Sequence, residues 1–188
     1  MDCRVTTVTA ASLADSPANE VLGELADVAA LTFPLACPPS VSADNVAAFI
    51  SSHLTAARFG EYVNAADRTV LTARSADDPR ILGYAMLIHG VPDDPDVQRA
   101  VTMRPAVELS KMYVLPESHG STVSAALMQT AVECCSELGA RTVWLGVNQE
   151  NQRAQRFYTK HGFSVAGTKT FTLGGHIEND YVMLRGLY

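Results

Sequence analysis

Apolar and polar residues recur along this chain with two periods, and the period changes from segment to segment. Val5 to Thr9 suits a short strand. From Asn19 to Leu31 the apolar positions Val21, Leu22, Leu25, Val28, Ala29 and Leu31 fall at helical spacing. Phe33-Pro34 ends that helix, and Cys37-Pro38-Pro39-Ser40 makes a stiff turn. A second helical pattern starts after Ser42, with Val46, Phe49, Ile50 and Leu54 on one face, and runs loosely toward Phe59 and Tyr62. Arg68 to Ala73 and Ile81 to His89 read as strands joined through the turn-rich Ser75-Ala76-Asp77-Asp78-Pro79. Residues 91–105 hold three prolines and several acids and read as an exposed loop.

The second half is more regular. Ala106 to Leu115 is a β-rich run stopped by Pro116. Ser121 to Leu138 reads as a helix with Val123, Leu127, Ala131, Cys134 or Cys135, and Leu138 as its buried stripe, closed by Gly139. Thr142 to Val147 is a continuous apolar strand, the mark of one covered on both faces. A helix from about Gln149 to His161 follows, with Asn148 as N-cap and Gly162 as its end. Phe163 to Leu173 and Ile177 to Leu187 are the last strands, separated by Gly174-Gly175. This order predicts a mixed-sheet α/β domain rather than a doubly wound parallel sheet.

Composition narrows the class. The 188 residues make one domain of generous size, able to bury roughly 70% of the surface exposed when unfolded without a disulfide or metal staple. Lys and Arg number 14 against 20 Asp and Glu, a net charge of 14 − 20 = −6. That balance, with no clustered basic surface, argues against a nucleic-acid binder. The four cysteines form no CxxC pair, no His cluster stands at metal-ligand spacing, and adjacent Cys134 and Cys135 point apart on a helix. No metal is expected, and the thiols read as reduced. The N-terminus lacks a basic n-region and an apolar h-region, and no window approaches the ~18 apolar residues that span a bilayer. A cytoplasmic location without membrane contact is the expectation.

Two segments carry candidate chemistry. Glu108-Leu109-Ser110-Lys111-Met112-Tyr113-Val114 leads through His119-Gly120-Ser121 into a helix. A strand–turn–helix of this kind presents backbone N–H groups and the positive end of a helix dipole, suited to a pyrophosphate or simply to a structural turn. In the second segment Asn151, Ala154, Tyr158 and His161 share one side of a helix. Ala154 permits close approach, and the Tyr158 phenol could protonate a leaving group; a Phe-Tyr pair can equally be core.

Together the segments resemble the GNAT superfamily, the Gcn5-related N-acetyltransferases. That pattern has a strand bearing a carboxylate, then (Arg/Gln)-x-x-Gly-x-(Gly/Ala) opening a helix. A later helix reads Asn-x-x-Ala-x-x-Phe-Tyr and leads into Gly-Phe. Here the latter is Asn151-x-x-Ala154-x-x-Phe157-Tyr158, then Gly162-Phe163. The resemblance covers about residues 80–188, and Leu145-Gly146-Val147, Gly167-Thr168 and Asp180 are similar to the bacterial spermidine/spermine branch.

The resemblance implies a GNAT fold, a sheet of six to seven strands with about four flanking helices, in which two splayed strands form an acetyl-CoA cleft. Residues 1–66 would be the substrate side and 67–188 the cofactor-binding core of a single domain. Acetyl-CoA would be the co-substrate and a polyamine-like or amino-acid-like primary amine the acceptor, attacking directly in a ternary complex. The backbone of Met112, Tyr113 and Val114 would pair with pantetheine. The pyrophosphate would rest on His119, Gly120, Ser121, Thr122, Val123 and Ser124. Asn151 and Ala154 would face the pantetheine arm, and Lys160 could reach the phosphates or remain a solvated charge. Tyr158 would be the general acid. Glu108 would be the general base and an acceptor contact, or else a paired strand acid. Phe33, with Phe49, Phe59 and Tyr62, would line the acceptor side or serve as core. Thr122 and Ser124 stand where the pattern has glycine, so an alternative is a GNAT-fold module that holds CoA or a metabolite with weak or no turnover. A homodimer is compatible with this reading, though no residue demands one.

Overall fold

One seven-stranded sheet organises the molecule, and one weak seam in it creates the site. The computed structural model describes residues 3–14, 18–75, 79–118, 122–173 and 175–187. The strands are β1 (Cys3–Val8), β2 (Arg68–Ser75), β3 (Ile81–His89), β4 (Ala106–Val114), β5 (Thr142–Asn148), β6 (Ser164–Leu173) and β7 (His176–Gly186). They lie in the order β1-β2-β3-β4-β5-β7-β6, and every pairing is antiparallel except β4 with β5. The mixed α/β sheet expected from the element order is therefore present.

Seven helices occur among the described residues: α1 (Ala10–Ala14), α2 (Ala18–Thr32), α3 (Ala43–His53), α4 (Ala56–Asn64), α5 (Pro95–Ala100), α6 (Thr122–Glu137) and α7 (Gln152–Lys160). The excess over four has local causes. The second helical pattern breaks at Leu54 because Thr55 accepts a hydrogen bond from Arg58 N and starts α4 afresh. Residues 91–105 are not simply an exposed loop. Asp94 caps α5 through the N–H groups of Asp96 and Val97, Pro95 sits in its first turn, and Val97 and Val101 are buried beside Trp144.

Two large cores cover the two faces. On one, α6 packs Val123, Leu127, Met128, Ala131 and Cys135 against Leu109, Val143, Leu145 and Val147. Cys135 takes the buried position, and Leu138, expected in that stripe, is 46% exposed because the helix ends just before it. On the other face Leu25, Val28 and Phe59 from α2 and α4 pack on Val70, Tyr84 and Met86. Gly139 and Gly162 follow α6 and α7 at φ +73° and +84°, left-handed positions that terminate both helices.

The seam lies between β4 and β5. Their pairing runs only over Ala106–Thr142, Val107–Val143 and Glu108–Trp144. On its other edge β4 carries a bulge: Met86 pairs with Lys111 and Leu87 with Leu109, leaving Ser110 as the extra residue. A bulge bends its strand and sharpens the local twist, so β4 swings away from β5 just past Glu108.

Candidate active site

The gap left by the diverging strands is a cleft of about 300 Å³. Its lining includes β4 from Glu108 to Val114 and β5 from Gly146 to Asn148. It opens through the sheet, so groups from opposite faces meet in it. Val107 and Leu109 point into the α6 core, which places Glu108 on the opposite face. The bulge at Ser110 then puts Lys111 and Tyr113 on the same face as Glu108, because one residue is absorbed without reversing the alternation.

Glu108 is half-buried at the point where the strands part. Burial raises its carboxyl above the usual glutamate value, and Lys169, Lys111, Arg68 and a hydrogen bond from Ser110 pull it partly back. Lys111 is held below the usual lysine value, chiefly by its own burial, with Glu108 acting in the opposite sense. Lys169 of β6 stands directly across from Asp180 of β7, with Nζ 3.7 Å from its carboxylate. Gly146 makes that possible: a Cβ there would meet Lys169 Cε at 2.6 Å. Asp180 is raised by burial, opposed by Lys169 and reinforced by Glu178. Glu178 itself accepts hydrogen bonds from Ser40 Oγ at 3.3 Å and Asn148 Nδ2 at 3.2 Å.

From the other face, α7 brings Asn151, Ala154 and Tyr158 to the cleft. Tyr158 packs edge-on against Phe157 and Phe163, and burial pushes its hydroxyl up to about 12. It is a protonated phenol at neutral pH. Asn151, not Asn148, caps α7: its Oδ1 accepts from Ala154 N at 3.0 Å. Asn148 instead accepts from Glu150 N in a turn of its own, which delays the helix to Gln152. His161 caps the other end of α7, donating from Nδ1 to the Phe157 carbonyl at 2.8 Å.

Phe33 and Phe49 form the aromatic wall of the cleft, stacked at 4.5 Å, with Phe171 edge-on to Phe49 at 6.0 Å. Phe59 and Tyr62, considered beside them, stand elsewhere. Phe59 is fully buried against Tyr84, and Tyr62 donates to the His53 carbonyl.

Of the expected site residues, the structure brings Phe33, Glu108, Met112, Tyr113, Val114, Asn151, Ala154 and Tyr158 to one cleft. Thr122, Val123, Ser124 and Lys160 are not among its lining; Thr122 opens α6, Val123 is in the core, and Lys160 is exposed at the end of α7. His119, Gly120 and Ser121 lie outside the described residues. Sequence reading gave no part to Lys111, Glu178 or Lys169. A signal existed for one of them: reading Gly174-Gly175 in the sequence as a two-residue turn sets Leu173 opposite His176, and counting back sets Lys169 opposite Asp180, the register the strands show.

Residues 39–163 match the Acetyltransferase (GNAT) family. The chain belongs to the GNAT acetyltransferases. An N-acetyltransferase of Mycobacterium tuberculosis, itself uncharacterized, is 55% identical over 164 residues, spanning 87% of this chain and 96% of that one. Among solved structures, the PaiA N-acetyltransferase from Thermoplasma acidophilum, in complex with coenzyme A, superposes with a TM-score of 0.73 at 17% identity over the whole of both chains. The ribosomal-protein-S18-alanine N-acetyltransferase from Escherichia coli does so at 0.62 and 14% identity, covering 98% of this chain and 94% of that one. These two share the fold. As a GNAT acetyltransferase the chain uses acetyl-CoA as acyl donor. No helix among the described residues is long and apolar enough to cross a membrane.

Proposed function

We propose that this GNAT enzyme acetylates a primary amine of a small molecule by direct attack within a ternary complex, with Glu108 as general base and Tyr158 as general acid. One observation carries the reading: the two groups reach the same gap from opposite faces of the sheet, a carboxyl whose proton affinity burial has raised and a phenol that stays protonated at neutral pH. An alkylammonium titrates near 10, so about one molecule in a thousand is nucleophilic at pH 7. Glu108, raised toward neutrality, takes that proton directly or through water. The amine nitrogen attacks the thioester carbonyl carbon, the C–S bond breaks, the Tyr158 hydroxyl donates its proton to the departing thiolate, and the second proton that nitrogen sheds as the amide forms restores the phenol. The β4 backbone from Met112 to Val114 would hold the pantetheine arm, and the start of α6 would take the phosphates.

The alternative, a module that binds without turnover, rested on Thr122 and Ser124 in place of glycine. Among the described residues every positive φ belongs to a glycine, so neither side chain strains the backbone there. That favours a working enzyme. The likeness to spermidine/spermine acetyltransferases finds no support among the relatives, and the cleft gives a different indication of the acceptor, developed below.

The test is thiol release from acetyl-CoA with a panel of amines. Tyr158→Phe is expected to lower kcat ~100-fold while the KM for acetyl-CoA stays within a few-fold. Full activity in that variant removes Tyr158 from the chemistry; stabilisation by acetyl-CoA without thiol release from any amine returns the binding module.

A further inference from the structure

The charged groups lining the cleft are Glu108, Lys111, Arg153, Lys169, Glu178 and Asp180, three acids against three bases. A polycation would want a surplus of free carboxylates, and the cleft does not offer one. Asp180 is engaged by Lys169, and Glu178 by Ser40 and Asn148. Lys111 is the odd member. Its ammonium makes no hydrogen bond or ion pair among the described residues, although it is half-buried and borders the cleft. A half-buried cation without a direct counter-ion is a poor structural element and a good anion receptor.

Its position limits where that anion can be. The bulge at Ser110 makes Glu108 and Lys111 consecutive residues on one face of β4. Same-face neighbours on a strand stand about 7 Å apart at the backbone. A ligand whose amine and anion lie one or two carbons apart can present the first to Glu108 and the second to Lys111 at once. The remaining wall is the aromatic group of Phe33, Phe49 and Phe171, with exposed Leu35 at its rim, which suits an apolar body.

Resting on the acetyltransferase reading above, we propose that the acceptor is an α-amino acid with an apolar side chain, its amine facing Glu108, its carboxylate held by Lys111 and its side chain against Phe33, Phe49 and Phe171. Lys111 is then a specificity-determining residue. It distinguishes an amino acid from the same molecule lacking the negative charge.

The experiment compares kcat/KM for phenylalanine and leucine with that for their uncharged amides and for spermidine, in wild type and in Lys111→Met and Lys111→Arg. The amino acids are expected to lead in wild type. In Lys111→Met the acid-to-amide ratio is expected to fall at least tenfold, mainly through KM for the amino acid, with partial recovery in Lys111→Arg. Amides or spermidine used as well as the amino acids by wild type overturns the proposal and leaves the acetyltransferase intact. So does an acid-to-amide ratio unchanged in a folded Lys111→Met protein. Turnover of none of these amines, with acetyl-CoA still raising the melting temperature, overturns it as well. Absence of any acetyl-CoA effect removes the wider reading and the proposal together.

Discussion

At Glu108, the proposed base, burial and neighbouring cations act in opposite directions. Its carboxyl binds a proton more tightly in the folded protein than in the unfolded chain, because burial outweighs Lys169, Lys111, Arg68 and Ser110. A raised carboxyl stabilises the fold below the ordinary glutamate range, and that contribution is lost as pH rises through the folded value. Once ionised, Glu108 therefore costs stability. Glu108→Gln is expected to melt at a higher temperature than wild type at pH 7, with the gap closing below the normal glutamate range. The same substitution should lower kcat/KM ~100-fold and remove the acid limb of its pH profile. In wild type that limb should lie above the range of an ordinary glutamate. A Gln variant that is less stable at pH 7 would show that the lysines, not burial, dominate.

At the scale of the element, the decisive device is the junction of β4 and β5. Parallel pairing over three residue pairs holds the seam closed as far as Glu108, and the bulge at Ser110 opens it beyond. Gly146 completes the junction by leaving room for Lys169 to lie across β5. Gly146→Ala sets a Cβ against the far end of a flexible side chain, so Lys169 should move aside at little cost to the fold. Lys169 exerts the largest of the cationic pulls on Glu108. Its displacement is expected to shift the acid limb of kcat/KM to higher pH while the melting temperature changes by only a few degrees. A pH profile identical to wild type would dissociate Lys169 from the base.

For the whole molecule, the two cores lie on opposite faces and the cleft passes between them, so its two sides are packed by different sets of helices. Acetyl-CoA binding only to the native state should stabilise it by ~2.7 kcal/mol at a hundredfold excess over Kd. For a chain of this size that is a rise in midpoint of roughly 5–10 °C, measured by thermal unfolding with and without the ligand. No rise with folded protein would mean that the start of α6, with Thr122 and Ser124, does not hold the phosphates.

Most of the elements, and the α7 residues that line the candidate cleft, were legible in the sequence. Hydrophobic period located all seven strands and the long helices, since a buried face must repeat with the geometry of its element. Gly139 and Gly162 marked helix ends because few other residues adopt their φ. Asn151, Ala154 and Tyr158 were legible because they share one helix face, a local property. The rest depends on register and on separate segments meeting. The Asp94-Pro95 cap of α5 was hidden among prolines that also suit a loop, and only the packing of Val97 and Val101 on Trp144 chooses the helix. Asn148 and Asn151 are both competent caps, and Glu178, 30 residues beyond the first, engages it. The bulge that aligns Lys111 with Glu108, and the pairing that holds Lys169 to Asp180, come from how strands align, and strand alignment is a property of the sheet rather than of any one segment.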